Sequence, residues 1–387
     1  MASSCCAATP LVLPLGTAVI VFESVSKRYS DGTLAIDQLD LTFVADQITA
    51  LVGPPRCGRS TVLRLIDRLE DPTAGRVLLD GQDVNRMDPV RLRRGMAHIT
   101  NEAGLFPHRT IGENLAHGPR LVGWDRQEIV TRVGGLLEQL GLDPFVTSRY
   151  PHELVAVETA RVALAAAMAA DPAVVLLDDP FRSLPSIERT ALYRDLVALQ
   201  RKQSTTMMIA IDNVADALPI ADRIIVLAAG GRLAQEGTPV ELLTRPIDDV
   251  AAEVIGEHRG LARLALFKLD EVRPTRGPVV TPDATADEAR AAAETGDSSW
   301  VLVVRSDDSF LGWADTARLS NSGRVTDTPL LAVEQTVGRW DSLLTALDQM
   351  VTSPSRMAVW TDGDGRLGGV ITRAVLDPHL PIVGAGG

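Results

Sequence analysis

Nine consecutive residues, Gly53-Pro54-Pro55-Arg56-Cys57-Gly58-Arg59-Ser60-Thr61, constrain this chain more than any other stretch. They follow an apolar run, Ile48-Thr49-Ala50-Leu51-Val52, and open an amphipathic segment, Val62-Leu63-Arg64-Leu65-Ile66. Strand, glycine-bounded loop and helix in that order is the setting in which a loop binds phosphate. The physical reason is that backbone N–H groups and a helix N-terminus converge on an anion. One position departs from Gly-x-x-x-x-Gly-Lys-Ser/Thr: Arg59 stands where the lysine belongs. The placement is that of a nucleotide site; the chemistry is altered.

At 387 residues the chain is long enough for two or three domains, each with its own core. A formal net charge of −12 and few aromatics argue against a nucleic-acid surface, which needs clustered Lys and Arg. Nucleic acid is not an expected partner. Cys5, Cys6 and Cys57 make neither a disulfide framework nor a metal-ligand spacing, so a reducing cytoplasm is expected. Cys57 reads either as a small filler of the loop or as a thiol open to alkylation. Residues 1–22 are apolar, but no Lys or Arg precedes the apolar stretch, and Pro10 and Pro14 interrupt it, unlike an export signal. No run approaches the roughly 18 apolar residues of a membrane span. The expectation is a soluble or peripheral protein that reaches a membrane only through a partner.

Along the chain, residues 18–23 read as a strand leading into a turn over 24–32, and 34–44 as a second strand region. Residues 76–84 look like a hairpin. Helical spacing predicts helices over 124–141 and 153–170, with Gly141 stopping the first. Ala173-Val174-Val175-Leu176-Leu177-Asp178-Asp179-Pro180 reads as a buried parallel strand with acids at its carboxyl edge. Helix over 187–203, strand over 207–211, short helix over 215–220 and strand over 224–228 follow. This alternation predicts an α/β fold with a parallel sheet covered on both faces. The stretch between Gly81 and Pro172 is expected to be largely helical, an inserted subdomain over about 85–172.

Beyond Gly256 the character changes. Residues 271–299 are rich in Pro, Thr, Ala and acids, and a weak repeat follows. Trp300-Val301-Leu302-Val303-Val304 and Phe310-Leu311-Gly312-Trp313 are echoed by Met357-Ala358-Val359-Trp360 and Leu367-Gly368-Gly369-Val370-Ile371. Each copy predicts strand, acidic turn, strand and short helix, preceded by a helix over 286–293 or 341–350. Two such units burying a shared face would form an appended paired module.

Taken together, the chain resembles the ATP-binding subunit of an ABC transporter, most closely the glycine betaine, proline and choline (osmoprotectant) importers. Further family-like stretches are Val25-Ser26-Lys27-Arg28-Tyr29, Gly104-Leu105-Phe106-Pro107-His108-Arg109-Thr110, Tyr150-Pro151-His152-Glu153-Leu154 and Gly231-Arg232-Leu233-Ala234-Gln235-Glu236-Gly237-Thr238-Pro239. The resemblance implies a P-loop NTPase fold over 18–256 after an N-terminal extension, 1–17. The tail resembles paired cystathionine-β-synthase-type (CBS) units: a linker and first-unit start over 257–299, the rest of that unit over 300–328, a second unit over 329–378, and a tail over 379–387. ATP and Mg²⁺ are the implied ligands. The implied partners are transmembrane permease subunits, a second nucleotide-binding subunit in a homodimer or heterodimer, and a solute-binding protein, with the chain peripheral on the inner membrane face. Residues 104–108 and Pro119-Arg120-Leu121 fall where the family meets its permease.

The resemblance also implies a role for each motif position. Tyr29 would stack on adenine, Gly53 to Thr61 would bind phosphate, and Ser60, Asn101 and Asp178 would attend Mg²⁺. Several positions depart from the family. Arg59 replaces lysine with a larger planar fork, Pro55 removes a loop donor, and Arg56 stands where glycine is usual. Asn101 replaces glutamine. Asp179 replaces the glutamate that positions the attacking water, setting the carboxylate back by about a bond length. The signature Leu-Ser-Gly-Gly-Gln becomes Leu154-Val155-Ala156-Val157-Glu158, which by itself reads as the start of an alanine-rich helix. Pro185 replaces aspartate, and Asp212 replaces a histidine that contacts the terminal phosphate. Phosphoryl transfer depends on positioned charge, so their joint loss predicts impaired turnover. Three functions stand at this point: a poorly hydrolysing ATP-binding subunit, a working transport ATPase with Arg59, Asp179 and Asp212 substituting, and a regulatory protein acting through its tail.

Overall fold

The computed structural model describes residues 19–379, except 101–103, 245, 248, 257–258, 321–322 and 363–364. Asn101, Cys5 and Cys6 lie outside the described residues. The apolar run before the loop is a strand, β3 (Ile48–Val52), buried at every position. A strand buried on both faces needs layers on both sides, and the chain supplies them.

In chain order the first unit, residues 1–257, runs β1 (Ile20–Arg28), β2 (Leu34–Phe43), β3, α1 (Arg59–Ile66), β4 (Ala74–Leu79), β5 (Gln82–Asp83), α2 (Pro89–Arg94) and β6 (Met96–Thr100). It continues through α3 (Ile111–Leu121), α4 (Arg126–Gln139), α5 (Ala156–Ala169), β7 (Val174–Asp178), α6 (Ser186–Gln203), β8 (Thr206–Ala210) and α7 (Val214–Ala217). It closes with β9 (Arg223–Leu227), β10 (Leu233–Gly237), α8 (Pro239–Thr244) and α9 (Asp249–Ile255). The central sheet has the order β10-β9-β3-β8-β7-β6, parallel except for β10 at the edge. A second, antiparallel sheet has the order β2-β1-β4-β5.

Helix α1 lies between the two sheets. Its Leu63 and Ile66 share one core with Phe22, Phe43 and Val77 of the antiparallel sheet and with Leu51 and Met208 of the central sheet. The phosphate loop is thereby clamped at both ends by buried apolar surface, each fully buried large side chain contributing about 1.5–3 kcal/mol.

In the first unit three expectations need correction. The first strand does not end at 23: it runs to Arg28, because bulges with Ser24 at φ 47° and Gln38 at φ 46° absorb residues that break the alternation. The stretch expected to be largely helical also contains β6, paired in parallel with β7 at the sheet edge. Its polar His98 hides the apolar signal, and the ring is anchored through Nδ1, 2.7 Å from Asp67 Oδ2. Helix α5 begins at Ala156, not 153, since Pro151–Glu153 forms a separate 3-10 turn. The hairpin at 76–84 is present, turning at Asp80 and Gly81 with φ of 50° and 77°.

The second unit, residues 258–387, contains α10 (Arg259–Leu266), β11 (Val279–Val280), α11 (Ala286–Thr295), β12 (Trp300–Val304) and β13 (Phe310–Asp315). A second copy follows as α12 (Leu343–Thr352), β14 (Ala358–Thr361), β15 (Leu367–Ile371) and α13 (Arg373–Leu376). The copies meet through Leu302, Val304 and Trp313 of the first and Met357, Val359 and Val370 of the second. Reciprocal backbone pairs bind the edges: Thr275 N–H to Val370 O at 3.0 Å with its return at 2.8 Å, and Trp313 N–H to Leu331 O at 2.7 Å with its return at 2.9 Å. The matched positions of Trp313 and Val370 give the repeat a structural basis. In the first copy the expected short helix after β13 is only a 3-10 turn, Thr316–Arg318.

Candidate functional site

The loop between β3 and α1 is shaped for an anion. Gly58 caps α1 with φ 97° and no side-chain cap, so the first-turn N–H groups remain open. A Cβ at Gly58 would overlap the Ala35 carbonyl, and one at Gly53 would overlap the Leu227 carbonyl, which explains glycine at both places. Pro55 and Arg56 face solvent. Arg56 holds φ 64° with a full side chain, a conformation costing about 1–2 kcal/mol for a residue other than glycine. Cys57 is buried, with 1% exposure, and its N–H bonds to Pro54 O at 3.1 Å. Burial pushes its thiol pKa up, against the nearby Arg59 charge. Cys57 is a filler of the loop.

The sheet brings the acidic residues to the same edge. Asp178 ends β7, and its Oδ1 accepts from Ser60 Oγ at 2.8 Å. A hydroxyl beside a carboxylate suits a hard divalent cation with oxygen ligands, and Ser60 and Asp178 would hold Mg²⁺ there. Such a cation would neutralise phosphate charge. Thr61 is buried, and its Oγ1 lies 3.2 Å from the Tyr29 hydroxyl, which brings Tyr29 to the loop. Lys27 Nζ sits 5.2 Å from the centre of the Tyr29 ring.

Arg59 does not extend freely from the loop. Its Nη1 donates to Gly53 O, and to Pro54 O at 3.4 Å, while Nη2 pairs with Oδ1 of Asp212. The other Asp212 oxygen takes Nη1 of Arg182 at 3.1 Å. Arg182 Nε also lies 3.9 Å from Asp179 Oδ2. Asp179 has φ 48°, and its N–H donates to Ala210 O at 3.0 Å, locking the end of β7 to β8. Burial first, then the Asp212 carboxylate, pushes Asp179 up to about 6, opposed by Arg182 and Arg59. Arg182 escaped the sequence reading. The only signal was its place three residues after Asp179 in the loop that follows a buried strand.

The remaining site residues are separate from this cluster in the chain's own contacts. Val155 caps α5 without a side-chain oxygen, 61% exposed, and its N–H donates to Glu158 Oε2 at 3.2 Å. Leu154 is half-buried, Ala156 is exposed and Val157 half-buried, so the helix core begins only at Val162. Pro185 precedes α6 with no side-chain cap. Among the described residues no helix is long and apolar enough to cross a membrane, and no cluster of three His, Cys, Asp or Glu could hold a metal ion alone.

Residues 36–182 match the family model described as ABC transporter. The chain is 30% identical over 363 residues to the choline transport ATP-binding protein OpuBA of Bacillus subtilis, covering 92% of this chain and 95% of that protein. It is 31% identical over 369 residues to the osmoprotectant import ATP-binding protein OsmV of Salmonella typhimurium, with 94% and 96% coverage. Among solved structures it resembles cbiO1 of Clostridium perfringens, part of the ABC transporter complex cbiONQ, with TM-score 0.54 and 23% identity, over 58% of this chain and 90% of that one. That structural likeness concerns the fold of the first unit's α/β core. With the loop, the two acidic strand ends and these relatives in view, the chain belongs to the ABC transporter ATP-binding proteins, in the family that includes the osmoprotectant and choline import subunits.

Proposed function

We propose that the chain is the ATP-binding subunit of an importer for quaternary amines of the choline and glycine betaine class, holding nucleotide weakly and hydrolysing it slowly or not at all. The relatives' names support the substrate class. One observation carries the finer reading: Arg59, the loop cation, is paired internally with Asp212. A charge already neutralised by a carboxylate has little left to offer a transferring phosphoryl group. Val155 at the start of α5 has no hydroxyl, which adds to the same reading.

In this role the subunit works as a homodimer or beside a catalytically intact second subunit, against membrane permease subunits on the cytoplasmic face, in a system fed by a solute-binding protein. The loop at 104–108, whose Phe106 N–H is held by Asn114 Oδ1 at 2.7 Å, belongs with Pro119-Arg120-Leu121 to the face offered to the permease. The paired tail is the CBS-like module, and its shared apolar face supports a regulatory or packing role.

The test is steady-state hydrolysis of Mg·ATP by the purified chain and by an Arg59→Lys, Asp179→Glu, Asp212→His variant. The unmodified chain should turn over well below about 1 per second, and the variant should exceed it. Turnover by the unmodified chain at about 1 per second or faster, the ordinary enzymatic range, would restore the working-ATPase reading.

A further inference from the structure

Both terminal nitrogens of Arg59 are engaged inside the protein, Nη1 on the Gly53 and Pro54 carbonyls and Nη2 on Asp212. In a loop of this type, the residue at this position is the one that reaches the outer phosphates. Here that reach ends on a carboxylate. Arg182 holds the other oxygen of the same carboxylate at 3.1 Å. We propose that Asp212 is a specificity-determining residue whose carboxylate takes the place of a terminal phosphate, so that the site takes a nucleoside diphosphate in preference to a triphosphate. This assignment rests on the nucleotide-holding role proposed above and names the nucleotide.

Charge at the sheet edge favours the shorter ligand. Asp178, Asp179 and Asp212 set three carboxylates there against the guanidiniums of Arg59 and Arg182. A diphosphate uses what the loop leaves open, the first-turn N–H groups of α1 and the Ser60–Asp178 pair, and leaves Arg59 on Asp212. A triphosphate must displace Asp212 from Arg59 and set a further phosphoryl group, of nearly two negative charges, against carboxylates. Repulsion of the unwanted ligand is an established route to specificity. The Asp212 side chain is 42% exposed, so its substitution does not open the core.

The experiment is calorimetric titration of the full chain with ADP and with ATP, each with Mg²⁺, for the unmodified protein and for Asp212→Asn. ADP should bind about tenfold or more tightly than ATP, as expected where one ligand meets an uncompensated like charge. Asp212→Asn should close that gap mainly by tightening ATP. Equal affinities or an ATP preference in the unmodified chain would overturn the assignment, as would a ratio unchanged by Asp212→Asn. Binding of neither nucleotide overturns it together with the nucleotide-holding role. ATP turnover with the ADP preference intact contradicts the impaired-hydrolysis reading but supports the assignment.

Discussion

At the scale of the residue, the charged side chains of the site form a connected set. Arg59 and Asp212 form an ion pair that satisfies itself, and Arg182 ties that pair to Asp179. Arg56 is the costly member of the loop, holding a left-handed conformation with a full side chain. Arg56→Gly should therefore raise stability by about 1 kcal/mol by relieving that conformation, an estimate net of glycine's extra unfolded-state freedom. Chemical denaturation of the two proteins side by side measures it, and an unchanged or lower midpoint contradicts the strain. Cys57 should resist alkylation in the native protein and react fully once unfolded, because it is buried and its thiol pKa is raised. Iodoacetamide labelling with site assignment by mass spectrometry separates it from Cys5 and Cys6.

At the scale of the element, the carboxyl edges of β7 and β8 place Asp178, Asp179 and Asp212 opposite the N-terminus of α1, and this geometry was legible in the sequence. An apolar run ending in acids and a glycine-bounded loop are both local signals. The Arg59–Asp212 pair was not legible, since it joins residues 153 positions apart through the order of the central sheet. The strand β6 was missed because a half-polar edge strand carries no strong periodicity, and β1 was cut short because its bulges break the alternation. The start of α5 offers a prediction at this scale. Val155→Ser supplies the missing cap oxygen for a first-turn N–H, and should stabilise the protein by about 0.5–2 kcal/mol. A thermal melt that fails to rise would show that the Glu158 contact already suffices.

At the scale of the whole molecule, the chain comprises two units, each with its own core. In the second unit, the repeat seen as matching strings became two strand pairs sharing an apolar face, with Trp313 only 2% exposed at its centre. Trp313→Ala should cost that unit about 3–5 kcal/mol, the usual loss for truncating a buried large aromatic side chain. Unfolding followed by circular dichroism checks it, and a loss under 1 kcal/mol would mean that the copies do not depend on one another. The assignment of this family member to poor hydrolysis stands or falls on its chemistry. The most direct measurement is a single-turnover experiment with trace labelled ATP, excess protein and Mg²⁺, and with bound nucleotide separated from product. Label recovered on the protein should remain ATP over times in which an ordinary ATPase would convert it all. Rapid, complete conversion to ADP and phosphate would contradict it.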